Sequence, residues 1–98
     1  MTHFGEPTDS MIRDAYRDQA AGYKLKKKQR ILLLLADGEW HSIRELTVKC
    51  THEFSARKKE LIDAGVSFDE PRRDKDAPRG EMWYDYRLIC TGPQRGLF

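Results

Sequence analysis

Trp40-His41-Ser42-Ile43-Arg44-Glu45-Leu46 reads as a short strand running straight into a helix. Ser42 is placed to accept a hydrogen bond from an amide of the first helical turn. Glu45, three residues later, can reach back to the N-cap amide, which completes a capping box. Before it, Glu39-Trp40-His41 predicts a small strand. After it, Ile43, Leu46 and Thr47 fall on one side of a short helix that ends near Lys49.

Towards the C-terminus, Cys50-Thr51 makes a turn, and Thr51 is a candidate cap for a helix over 52–64. Phe54, Leu61 and Ile62 lie on one side of that helix, together with Arg57 or Lys58. Ser55, Ala56, Lys59 and Glu60 lie on the other, and Gly65 closes it. The apolar period then changes from 3.6 to 2, with Val66 and Phe68 alternating with polar neighbours. Residues 69–80 hold Pro71, Pro78 and Gly80, and Ala77 is their single apolar side chain. They predict a loop. Residues 81–89 predict a strand with Met82, Tyr84, Tyr86 and Leu88 on one face and Trp83, Asp85 and Arg87 on the other. The two strands and their charged loop make a β-hairpin. Residues 90–98, with Gly92-Pro93 and Gly96, predict an extended tail.

Towards the N-terminus, Ile31-Leu32-Leu33-Leu34-Leu35-Ala36 is too continuous for an amphipathic stripe. It predicts a heavily buried helix over 25–36, ended by Asp37-Gly38. A further helix is predicted over 9–21, capped by Thr8 or Asp9 and stopped by Gly22. Ile12, Ala15, Tyr16, Gln19 and Ala20 share its apolar side, which fits an appendage or a dimer arm.

The chain has 98 residues, 39% hydrophobic and 35% charged, which suits one modest domain and argues against disorder. Scaling by size gives a folded surface of roughly 6,000 Å² against about 17,000 Å² for the extended chain. The longest apolar run has six residues, too few to span a bilayer. The first residues show no basic-then-apolar signal pattern. Two cysteines, Cys50 and Cys90, are too few for a disulfide scaffold. A reducing, cytoplasmic location is the simplest expectation, nucleoid-associated if the source is prokaryotic.

The net charge is only +2, so its distribution says more than its sum. Residues 1–22 carry a local −2 and residues 24–30, Lys24-Leu25-Lys26-Lys27-Lys28-Gln29-Arg30, a local +5. A polyanion would therefore be met through a local patch and not through a global field. Equally, a lysine run beside an apolar helix is often its solvated face, and the acidic N-terminal segment can lie over it.

The order helix, short strand, helix, turn, helix, hairpin resembles the winged helix-turn-helix family of DNA-binding domains. The resemblance rests on the 40–46 stretch, then Phe54, then Lys59-Glu60-Leu61-Ile62-Asp63-Ala64-Gly65-Val66, then Trp83-Tyr84-Asp85-Tyr86-Arg87-Leu88. It covers about residues 25–89. The segment from Leu46 to Leu61 is some three residues shorter than is usual, and Cys50-Thr51 replaces the usual turn glycine. The resemblance implies an α+β fold with three parts: an N-terminal helical extension over 1–23, a winged helix-turn-helix domain over 24–89 with a β-hairpin wing, and a tail over 90–98. In that family the last helix commonly enters the major groove and the wing touches backbone or minor groove.

It follows that Thr51, His52, Ser55, Ala56, Arg57 and Lys59 are expected at the DNA, with Lys59 reaching a guanine edge or a phosphate. Ser42 and Arg44 are backbone candidates. Arg72, Arg73, Lys75 and Arg79 belong to the wing, where a basic loop can insert an arginine into a narrow minor groove. Lys24, Lys26, Lys27, Lys28 and Arg30 are candidates for flanking phosphates, Lys26 and Lys28 first among them. Lys58 falls nearer the inner face, its stem covering the core.

No phosphate loop, zinc-protease pair or nucleophile elbow is present, so no enzyme, cofactor or catalytic residue is predicted. His41, Cys50, His52 and Cys90 match no standard zinc spacing. Cys50-Thr51-His52 has no orienting third group. The expected role is sequence-specific binding of double-stranded DNA in transcription regulation, in a setting such as a phage or mobile element. One short reading helix calls for a homodimer or a partner protein. The alternative is a winged helix used as a protein-interaction module. Trp40 and Trp83 are expected to seal the core. Trp83 lies opposite Tyr84 and Tyr86, however, so one aromatic face is left for the 9–21 helix or a second subunit.

Overall fold

Ile31, Leu32 and Leu35, three members of the apolar run, stand at the centre of the fold, none more than 1 % exposed. The computed structural model describes residues 4–81 and 83–89. These form four helices and a three-stranded antiparallel sheet. The order is α1 (Thr8–Ala20), α2 (Lys27–Leu35), β1 (His41–Ser42), α3 (Ile43–Lys49), α4 (Phe54–Asp63), β2 (Arg72–Arg73) and β3 (Tyr84–Tyr86). None of the described helices is long and apolar enough to cross a membrane.

Local signals set the helix ends. Ser42 caps α3 by accepting the Glu45 N–H at 3.1 Å. The carboxylate of Glu45 does not complete the box. It bonds His41 Nδ1 at 2.7 Å and the Lys49 ammonium at 2.9 Å instead. Helix α4 closes with two hydrogen bonds, Gly65 N–H to Ile62 O at 3.0 Å and Val66 N–H to Leu61 O at 2.9 Å. That is a Schellman motif, and its two buried apolar residues, Leu61 and Val66, lock it to the core. The turn between α3 and α4 needs no glycine, since no non-glycine residue described here has positive φ. Its Thr51 hydroxyl accepts the Glu53 N–H at 2.9 Å, and α4 starts at Phe54, two residues later than the expected 52.

Helix α1 begins at Thr8, after Pro7, and neither expected cap acts as one. Thr8 is buried as its first residue, and Asp9 accepts the Phe4 N–H at 2.9 Å. The buried stripe is Thr8, Ile12 and Ala15, whereas Tyr16, Gln19 and Ala20 are exposed. Helix α1 packs on α2, and Phe4 and Ile12 enter one core with Leu46, Phe54, Leu61 and Leu88. This helix is part of the domain's packing and not an appendage.

The sheet order is β1-β3-β2. His41 stands opposite Tyr86 and Ser42 opposite Asp85; on the other edge Arg72 faces Asp85 and Arg73 faces Tyr84. The strand expected over 81–89 shrinks to three paired residues plus a bridge between Phe68 and Leu88. The physical reason is a bulge. Three residues, 69–71, oppose two, 86–87, between the bridge and the Arg72 pair. Pro71 has no N–H to give to a ladder there.

Alternation along β3 divides the sheet into two faces. Tyr86 and Leu88 point inwards, with the Tyr86 ring 4.8 Å from Phe54. On the outer face Trp40 lies between two guanidiniums, Arg72 and Arg87, each 4.5 Å from its ring centroid. Asp85 pairs with Arg72 at 3.1 Å and Asp69 with Arg87 at 2.7 Å. Trp83 carries Arg44 at 4.7 Å. The expectation that both tryptophans seal the core is therefore corrected. Both are half-buried, and arginine stacks cover them. Met82, Cys90 and the tail over 90–98 lie outside the described residues.

Candidate nucleic-acid interface

The inner side of α4 is fixed by Phe54 and Leu61, both at most 2 % exposed. Lys58 also turns inwards. Its ammonium sits 5.0 Å from the Tyr86 ring and 5.7 Å from Phe68, so its stem covers aromatic surface while its charge faces a π-cloud. Ile62, placed on the inner side by periodicity, is 47% exposed instead. The other exposed residues are Ser55, Ala56, Lys59 and Asp63 and, just before the helix, His52 and Glu53.

Two acids, Glu53 at the N-cap of α4 and Glu60 within it, are drawn back towards α2, whereas Asp63 at its end is exposed. Lys27 reaches Glu53 at 2.9 Å and Lys28 reaches Glu60 at 3.5 Å. The Glu53 carboxyl is held below its ordinary range, chiefly by the Lys27 ammonium. Arg57 also pairs with Glu60, at 3.0 Å. Its Nε is buried and finds no partner among the described residues. The N-terminal acids do not lie over lysines 27 and 28; from that segment, Asp18 instead accepts from Gln29 at 2.8 Å. Lys59 has no ion-pair partner among the described residues. Its chain neighbour Glu60 is already paired with Lys28 and Arg57.

The remaining candidates separate into two groups. Ser42 is committed to its cap, and Thr51 is buried with its hydroxyl committed to the turn. Arg72 is committed to Asp85 and Trp40. Lys26 is exposed at the N-cap of α2, its N–H on Gln29 Oε1 at 2.9 Å. Arg73 is exposed, and its guanidinium donates to the Glu81 carbonyl at 3.2 Å. Lys75 and Arg79 are exposed in the loop between β2 and β3, with no ion-pair partner among the described residues. Arg44 is exposed and pairs with Asp74 at 3.2 Å and with Asp76 at 3.8 Å.

Lys27, a flanking-phosphate candidate along with the rest of the lysine run, is tied to Glu53 instead. One participant does not stand out in the sequence. Asp74 looked like one acid among four in residues 66–80. Its position directly after Arg72-Arg73 and two residues before Asp76 is the spacing of an Asx turn, and that signal was available.

Two further groups are structural. His41 is flanked by Glu45 on Nδ1 and by both oxygens of Asp37, at 3.0 Å, on Nε2. Both ring nitrogens then donate, which is the imidazolium form. Cys50 is buried, and burial pushes its thiol up from its ordinary range, the opposite of an activated nucleophile. No group of three metal-ligating side chains occurs among the described residues. No known protein family, curated protein or solved structure matches this chain.

Proposed function

We propose that this chain is a winged helix-turn-helix domain that binds double-stranded DNA and serves as a small regulator of transcription. The observation that carries the reading is the outward side of α4. It presents Ser55, Ala56 and Lys59, while Glu53 and Glu60 are held back by Lys27 and Lys28. The order of helices and strands and the β1-β3-β2 sheet support it. In this reading α4 enters the major groove and Lys75 and Arg79 meet phosphate or minor groove. The effect is exerted by occupancy and not by chemistry, and a dimer or partner supplies the rest of the contact.

Fluorescence anisotropy with generic duplex DNA across a salt series tests the reading. Binding should be weak, should fall steeply with salt, and should fall again in Lys59→Ala. Losing one phosphate contact should reduce the salt slope by about 0.9. No binding even at low salt overturns the proposal for this chain. One observation favours the protein-interaction reading. Val48, 85% exposed, lines a shallow, mostly apolar depression together with Ile43, Arg44, Thr47 and Trp83. A chain without DNA affinity that loses a partner on Val48→Glu would establish that reading instead.

A further inference from the structure

The loop between β2 and β3 is long, charged and exposed, yet one residue at its root is buried. Asp74 is 6 % exposed, although its neighbours Arg73 and Lys75 are open to solvent. Every polar group of Asp74 that can make a bond is in use. Its N–H donates to the Trp83 carbonyl at 2.9 Å, which closes the loop across its base. Its Oδ1 accepts the Asp76 N–H at 2.8 Å, and its carbonyl accepts the Ala77 N–H at 3.2 Å. Its Oδ2 takes the Arg44 guanidinium at 3.2 Å, and that guanidinium in turn lies over Trp83. Lys75 is thus held between two residues of a closed turn, and Arg79 follows two residues after Ala77. The Asp76 amide, seconded by Arg44, keeps the Asp74 carboxyl below its ordinary range.

We propose that Asp74 is the positioning residue of this loop. Clamped to Arg44 of α3, it fixes the conformation in which Lys75 and Arg79 are presented to a polyanion. The inference deepens the DNA reading and rests on it for the identity of the polyanion. Arg44 acts here through Asp74, tying the loop to the helix that precedes α4. A loop without the clamp would carry the same charges in many orientations and would lose ordering entropy on binding.

The test is a coupling cycle. Lys75→Ala/Arg79→Ala is introduced into the wild type and into Asp74→Ala, and duplex affinity is read by anisotropy across salt. In the wild type the double replacement should shallow the salt slope by about 1.8, the value for two phosphate contacts. In Asp74→Ala the same replacement should shallow it by less than half as much. Equal losses in both backgrounds overturn the proposal. Asp74→Asn, which keeps an oxygen for the Asp76 amide but not the charge for Arg44, should fall between them. A second readout needs no DNA. Amide exchange at Asp76 and Ala77 should accelerate in Asp74→Ala while exchange in α2 stays unchanged. If the wild type binds no duplex, the DNA reading fails and the clamp is judged by exchange alone. Faster exchange upholds it, and unchanged exchange overturns it.

Discussion

A methyl group added to Gly65 would stand 2.8 Å from Cγ and 2.9 Å from Cδ of Pro7. The end of α4 and the start of α1 therefore meet at a point with no room for a side chain. Gly65 also sits at φ +105°, a region that L-residues rarely adopt. Gly22, at φ +83°, closes α1 in a similar way but has nothing within 4 Å.

The pair separates backbone strain from crowding. Gly22→Ala should cost only the left-handed backbone, roughly 1–2 kcal/mol. Gly65→Ala should cost that and a further 1 kcal/mol or so of overpacking against the proline ring. Urea denaturation of both variants checks this. Equal losses would show that Pro7 yields freely and that the contact has no weight.

His41 gives the domain a pH dependence. Burial alone would lower its pKa, but the bonds to Asp37 and Glu45 outweigh burial and leave it above the ordinary 6.5. For Asp37, burial works upwards, and the Glu39 amide and His41 outweigh it, so its pKa falls below 3.8. Glu45 is lowered from 4.5, by Lys49 first and then by His41. A raised histidine stabilises fully below 6.5 and loses that contribution as pH rises through its folded value. Lowered carboxylates stabilise fully above 4.5 and lose their contribution as pH falls through their folded values. The clip is thus strongest between about pH 4.5 and 6.5. The melting temperature of His41→Gln should trail the wild type there, and the gap should narrow towards pH 9. A gap that does not change with pH would mean that His41 acts by packing and not by charge.

What the sequence makes legible is what lies within one turn of helix. The Ser42 cap, the Gly65 stop, the buried Phe54 and Leu61 and the inward Lys58 all follow from i to i+4 relations, and each appears where the spacing puts it. The helix–strand order was legible for the same reason. The rest depends on contacts between elements, for which no periodicity exists. Nothing local places Lys27 on Glu53, Arg87 on Trp40 or Phe4 in the core. In α1 the spacing puts Ile12 and Ala15 inwards, where they are, but Tyr16, Gln19 and Ala20 are exposed and Thr8 is buried, because which side is covered depends on the packing partner and not on period alone.

The ties between α2 and α4 make a counter-intuitive prediction. Glu60 holds both Lys28 and Arg57. If α4 meets DNA as proposed, Glu60→Gln removes a negative charge from it and releases two cations beside it. Duplex affinity at low salt should rise a few-fold. The salt slope should steepen by roughly 0.9 for each released cation that reaches a phosphate. The stability change should stay within about 1 kcal/mol, as for exposed ion pairs generally. Weaker binding in this variant would mean that Glu60 orients Lys28 or Arg57 for the contact and does not restrain them.

The two aromatic environments should differ in what they contribute to stability. Phe54 is buried against Tyr86 at 4.8 Å and Phe68 at 6.5 Å, with α2 behind it, so its removal leaves a cavity that these rings cannot fill. Phe54→Ala should cost roughly 3–5 kcal/mol, a large share of the stability of a domain this size. Trp40 is the larger side chain, but it is half-buried between Arg72 and Arg87, whose charges keep Asp85 and Asp69 as partners without it. Trp40→Ala should forfeit two exposed cation–π contacts, roughly 1–2 kcal/mol. The denaturant slope should stay the same in both variants, because neither changes how much surface unfolding exposes. If Trp40→Ala proves as damaging as Phe54→Ala, the outer face of the sheet is a second core and not a solvated brace. The arginines would then be holding the ring against surface that is closed to water.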